Sequence, residues 1–73
     1  MIELDVQGLL CPLPVIRLQA LLRDLPVGDT ILVVGDDRGM KADIPAFCHS
    51  HGHHLVSLDE EGTIIRACVE KKK

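Results

Sequence analysis

The sequence predicts an α/β fold: a two-layer sandwich in the order β-α-β-α-β-β, with a four-stranded mixed sheet and two helices on one face. Three observations predict it. Apolar residues recur at helical spacing between Pro14 and Leu25. Four short segments alternate apolar with polar residues or run continuously apolar, as strands do. Proline, glycine and aspartate punctuate the boundaries. One sheet covered on one side by both helices is the simplest way to bury two amphipathic stripes.

Each element follows from its residues. Ile2, Leu4 and Val6 alternate with Glu3 and Asp5, a half-buried strand that Gln7-Gly8 ends. Proline fits the first turn of a helix, where an amide donor has no partner. Pro12 and Pro14 therefore mark a helix start. Val15, Leu18, Leu21, Leu22 and Leu25 form its apolar stripe, and Arg17, Gln19, Arg23 and Asp24 its polar face. Pro26-Val27-Gly28-Asp29 is a turn, and Thr30–Val34 an uninterrupted β-type run buried on both sides or nearly so. A loop over residues 35–39 leads to a second helix that starts at Met40 or Asp43 and ends at His51. Asp43 is expected to cap its start, Pro45 to sit in its first turn and Gly52 to terminate it. Residues 54–58 form a third strand with Val56 and Leu58 on one face. Glu60-Glu61-Gly62 is a turn. Residues 63–69 form the last strand, with Ile65, Ala67 and Val69 on one side and Cys68 on the other.

Totals narrow the function. Seventy-three residues make a single domain, 1–73, in which surface chemistry is expected rather than a deep cofactor pocket. The chain has one Phe, no Trp and no Tyr, so the core is aliphatic and base-stacking platforms are missing. The net charge is −3, and the sole basic run is Lys71-Lys72-Lys73, read as a solubilising tail. A direct grip on nucleic acid is therefore not expected. No apolar run approaches the ~20 residues of a membrane span, and the acidic start is unlike a signal peptide. The expected setting is the cytoplasm, without membrane attachment, and the expected state a monomer. An odd count of three cysteines argues for free thiols.

Among these thiols Cys11 is singled out. It precedes Pro12 at the start of the first helix, where unpaired amide donors and a partial positive charge favour thiolate over thiol. Pro12 and Pro14 hold the backbone and present the sulfur in a fixed place. A core cysteine has no need of such a frame.

The run Cys11-Pro12-Leu13-Pro14, preceded by Asp5 and Gly8-Leu9, resembles the Cys-Pro-x-Pro signature of the TusA/SirA family of sulfur carriers. Asp36-Asp37, Asp43-Ile44-Pro45, Phe47-Cys48, His53 and Leu55 extend the likeness in order over nearly the whole chain, closest to the TusA branch. The resemblance implies the two-layer sandwich and a sulfur-relay role in which Cys11 is the catalytic residue and Pro12 and Pro14 its support. A cysteine desulfurase or rhodanese would donate sulfur, held as a persulfide, and a downstream acceptor protein would receive it. The family's uses include tRNA thiolation, molybdenum cofactor synthesis and sulfur oxidation. Such exchange needs an accessible, acidified thiol but no metal and no cofactor. Partner docking is expected around Cys11, through Leu9, Leu10 and Leu13, with Arg17 one turn further on.

The remaining clusters offer an alternative. Cys48, His49, His51, His53 and His54 crowd into segment 48–54. A non-catalytic regulatory or metal-binding module would use them, yet their spacing lacks the paired ligands of a zinc site. Cys48 and His51 are expected to pack against the sheet. Asp36-Asp37 reads as a solvated turn.

Overall fold

A computed structural model describes residues 1–73. Six elements follow in the expected order: β1 (Ile2–Asp5), α1 (Leu13–Arg23), β2 (Thr30–Gly35), α2 (Met40–His51), β3 (His54–Glu61) and β4 (Ile64–Glu70). They build a four-stranded mixed sheet of order β1-β2-β4-β3. β1 pairs in parallel with β2, and α1 supplies the crossover that a parallel pair requires. β4 pairs antiparallel with both β2 and β3. It turns back from β3 and fills the space between them.

Twelve buried residues form one core. Leu18 and Leu22 come from α1, and Met40, Ile44, Phe47 and Cys48 from α2. Val6, Ile31, Val33, Ile65, Ala67 and Val69 rise from the sheet to meet them. Both amphipathic stripes are thereby buried on one sheet face. Gly35, at the end of β2, belongs to this packing: a Cβ there would collide with the Met40 side chain and stand 2.9 Å from Val6 Cγ2.

Of the two starts expected for α2, Met40 is the observed one, because the preceding turn winds directly into it; other local expectations are corrected. Met40 N donates to Asp37 O, Lys41 N to Arg38 O and Ala42 N to Gly39 O. Asp43 caps nothing, and Pro45 lies inside the helix rather than in its first turn. Gly52 does terminate it, in the left-handed region at φ 75°.

β3 runs on to Glu61, past its expected end. Glu61 pairs with Ile64 across a two-residue loop whose first residue, Gly62, has φ 61°. The facing of its residues also differs. Leu55 pairs with Val69 and Ser57 with Cys68, so Val56 is an extra residue, a β-bulge. The bulge resets the alternation. Leu55 and Leu58 both pack on the core, while Val56 is exposed.

The basic run at residues 71–73 is no free tail. Lys71 N donates to Asp29 O, and its Nζ donates to Leu22 O at 2.6 Å and Leu25 O at 2.5 Å. Its ammonium thus adds a donor to one carbonyl in the last turn of α1 and one just beyond it. No helix is long and apolar enough to cross a membrane.

Candidate functional site

Parallel pairing of β1 and β2 brings the segments that follow them to the same end of the sheet. One carries Cys11; the other carries Asp36 and Asp37. The second loop clasps the first. Gly8 N donates to Asp36 Oδ1 at 3.0 Å, with Gly8 at φ 83°, and Cys11 N donates to Asp37 Oδ2 at 2.8 Å. Leu9 N donates to Val6 O and Leu13 N to Leu10 O, which closes the turn ahead of α1. Asp36-Asp37 is therefore a structural clasp and not a solvated turn.

Cys11 is exposed, and its Sγ donates to Asp43 Oδ2 at 2.7 Å. The hydrogen bond to Asp43 pushes the thiol pKa up. Partial desolvation and the negative charges of Asp43 and Asp37 act in the same direction. The acidified thiol expected from its place at a helix start is thus corrected: the hydrogen bond to Asp43, with two nearby carboxylate charges, holds the thiol above its ordinary value. Asp37 and Asp43 were not recognised as parts of the site in sequence. Their signal was their position: Asp37 follows the carboxyl end of β2, the strand neighbouring β1, and Asp43 sits in the first turn of the helix that comes next.

Beside the sulfur lies an open groove of about 450 Å³, walled by Cys11, Pro12 and Val15 on one side and by Asp43, Ala46 and Phe47 on the other. Pro14 is buried as the first anchor of α1, while Pro12 is exposed and lines the groove. Of the four residues expected to dock partners, Leu9 packs on the core instead, because its turn folds back onto Val6. Leu10 is 70% exposed and Leu13 43%, and Arg17 is also exposed. Ile16, 51% exposed one turn after Leu13, extends this apolar strip and was missed in sequence.

The other thiols lie apart. Cys48 is buried in the core, where desolvation pushes its pKa up. Cys68 is buried on the sheet face opposite Ala67 and Val69, away from the helices. Brief treatment with iodoacetamide at neutral pH is expected to label Cys11 ahead of both, through access rather than acidity. Peptide mapping reads the outcome, and faster labelling of Cys48 or Cys68 would contradict it.

The side chains of segment 48–54 diverge. His51 is exposed and stacks on Phe47 with ring centroids 4.3 Å apart, rather than packing against the sheet. His53 Nδ1 accepts from Lys72 N, and His49 and His54 face solvent. No three His, Cys, Asp or Glu side chains gather as a metal-binding group.

The comparisons with known proteins agree with this architecture. The chain is 47% identical over 64 residues to the sulfur carrier protein TusA of Pseudomonas syringae, covering 86% of this chain and 76% of that one. The crystal structure of a SirA-like protein from Desulfitobacterium hafniense superposes with a TM-score of 0.85 over the whole of both chains, at 24% identity, and so shares the fold. Residues 2–71 match the family described as sulfurtransferase TusA, and the chain belongs to that family of sulfur carriers.

Proposed function

We propose that this protein receives sulfane sulfur on Cys11, holds it as a persulfide and passes it to an acceptor protein, as a carrier more than a stand-alone catalyst. The observation that carries the reading is the single exposed thiol, fixed at the mouth of a shallow groove by the Asp37 clasp.

The exchange balances without outside redox partners. Deprotonated Cys11 Sγ attacks the terminal sulfur of a donor persulfide. A new S–S bond forms, the donor's own S–S bond breaks, and its thiolate leaves and takes up a proton. In discharge, an acceptor thiolate attacks the terminal sulfur on Cys11. Cys11 leaves as a thiolate, regains its proton and restores the bond to Asp43. A thiol of raised pKa is a stronger nucleophile once deprotonated and a poorer leaving group. Asp43 therefore favours retention of the sulfur until an acceptor docks.

The donor is a cysteine desulfurase or a rhodanese, and the acceptor feeds tRNA thiolation, cofactor synthesis or sulfur oxidation. The protein acts as a monomer in the cytoplasm, where a reducing setting keeps Cys11 free. Incubation with a cysteine desulfurase and cysteine tests the reading. Intact mass should rise by one sulfur located on Cys11, and no gain, or a gain on Cys48 or Cys68, would refute it.

Leu10, Leu13 and Arg17 form the docking surface, with Pro12 and Pro14 as support. Contacts made in turn with a donor and an acceptor must be modest and reversible, which a small exposed apolar strip provides. Leu13→Asp is expected to slow transfer severalfold while shifting the melting temperature by only a few degrees, since Leu13 is well exposed. Unchanged transfer rates in a stable variant would place docking elsewhere.

A further inference from the structure

At the far end of the α1–α2 groove from Cys11 lies a second cavity, of about 160 Å³. It is well above the ~10–15 Å³ that a single water needs, so it admits a group of several heavy atoms. Its ionisable side chains are all basic. Arg23 comes from the last turn of α1, His51 from the end of α2, and His53, Lys71 and Lys73 from the segments beside them; Gln19 adds an uncharged polar group. No carboxylate side chain lines it, in a chain that has 11 Asp and Glu against eight Lys and Arg. The four ion pairs of the protein involve Arg38, Lys41, Arg66 and Lys72, and none of these lines the cavity. Arg23 and Lys73 have no carboxylate partner. Lys73 lies over Gly52, with Nζ 3.0 Å from where a Cβ would stand, between the two histidines.

The rings are held in place. Phe47 stacks on His51, and His53 tilts against the same ring with centroids 6.0 Å apart. Because His53 Nδ1 accepts from Lys72 N, its neutral form carries the proton on Nε2 and keeps a ring donor available. The cavity therefore gathers cations and N–H donors with no negative side chain to neutralise them. That is the composition of an anion site.

We propose that this cavity binds a phosphate-type oxyanion, either the free ion or the phosphoryl group of a small molecule. Desolvation, then the charges of His51, Lys71 and Lys73, hold the pKa of His53 below its ordinary value. An anion seated among these groups opposes that repulsion, so binding raises the His53 titration midpoint. The proposal is independent of persulfide chemistry at Cys11, although the two cavities share Phe47 and His51 as a common wall.

The test is a proton NMR titration of the full chain with inorganic phosphate at constant ionic strength, set by sodium chloride. The ring signals of His51 and His53 should shift saturably in the millimolar range, and the exposed His49 and His54 serve as internal references. The His53 midpoint should rise in saturating phosphate. The double variant Arg23→Gln with Lys73→Gln should bind about tenfold more weakly or worse, since it removes two charge-assisted donors. Both residues are exposed, so the fold should persist; if it does not, the shifts of the unaltered chain decide alone. Adenosine monophosphate separates the sources. Shifts with both ligands admit the phosphoryl group of a larger molecule, and shifts with phosphate alone restrict the site to the free ion. Shifts with the nucleotide alone, equal shifts at all four histidines, or undiminished binding by a folded double variant would overturn the proposal.

Discussion

Cys11→Ser is expected to abolish sulfur loading completely and to leave the fold unaltered. A hydroxyl cannot form the S–S bond on which the proposed relay depends, and neither remaining thiol is placed to replace it. Cys48 is sealed in the core and Cys68 lies on the opposite sheet face. The structural cost is small, because Cys11 is exposed and its backbone amide still donates to Asp37. Serine also keeps an O–H donor for Asp43. Desulfurase loading followed by intact mass should show no added sulfur, while circular dichroism and the melting temperature match the parent within a few degrees. A variant that loads as the parent does would remove Cys11 from the mechanism. The reverse pair, Cys48→Ala with Cys68→Ala, should load normally if it folds.

The second large effect is at Asp43. The carboxylate accepts the Cys11 S–H bond at 2.7 Å and repels the negative thiolate, and both actions hold the thiol pKa above its ordinary value. Asp43→Asn removes the charge and keeps the shape. The pKa of Cys11 must then fall, and the sign is unambiguous: at neutral pH the thiolate fraction rises. Alkylation by iodoacetamide at pH 7 should become severalfold faster, with its midpoint displaced to lower pH. Nucleophilicity falls as pKa falls, so well above both midpoints the variant should be slightly slower, and the two pH profiles should cross. Parallel profiles would show that Asp43 only holds the loop. A more acidic Cys11 is also a better leaving group, so the variant should give up its sulfur more readily to a free thiol.

This arrangement reverses a reading that the chain order encourages. A cysteine at a helix start is normally read as acidified. Here the field of α1 is opposed by carboxylates from a segment 26 to 32 residues away in sequence. Neither Asp37 nor Asp43 differs, in its local surroundings, from a loop or helix-cap aspartate. Their role appears once β1 and β2 lie side by side in parallel and the segments after them meet. Leu9 makes the same point in the opposite direction. Next to Cys11 it looks like part of a docking surface, yet the bond from its amide to Val6 turns it onto the core.

Element order, the α1 stripe, the buried β2 run, the Gly52 helix end and the exposure of Cys11 were all legible along the chain. Each rests on interactions within a few residues: spacing of apolar side chains, proline geometry, a glycine that tolerates positive φ. Other features depended on contacts between segments remote in sequence. β4 settles between β2 and β3 because the sheet must bury Ile65, Ala67 and Val69 beneath both helices. The bulge at Val56 turns both Leu55 and Leu58 inward, which strict alternation along the strand could not place together. Lys71 becomes a cap only when the chain end meets the last turn of α1. The protonation preference of Cys11 belongs with these. Local sequence supplies the sulfur and the helix start, but electrostatic energy depends on distance in space, and folding sets the distance to Asp43.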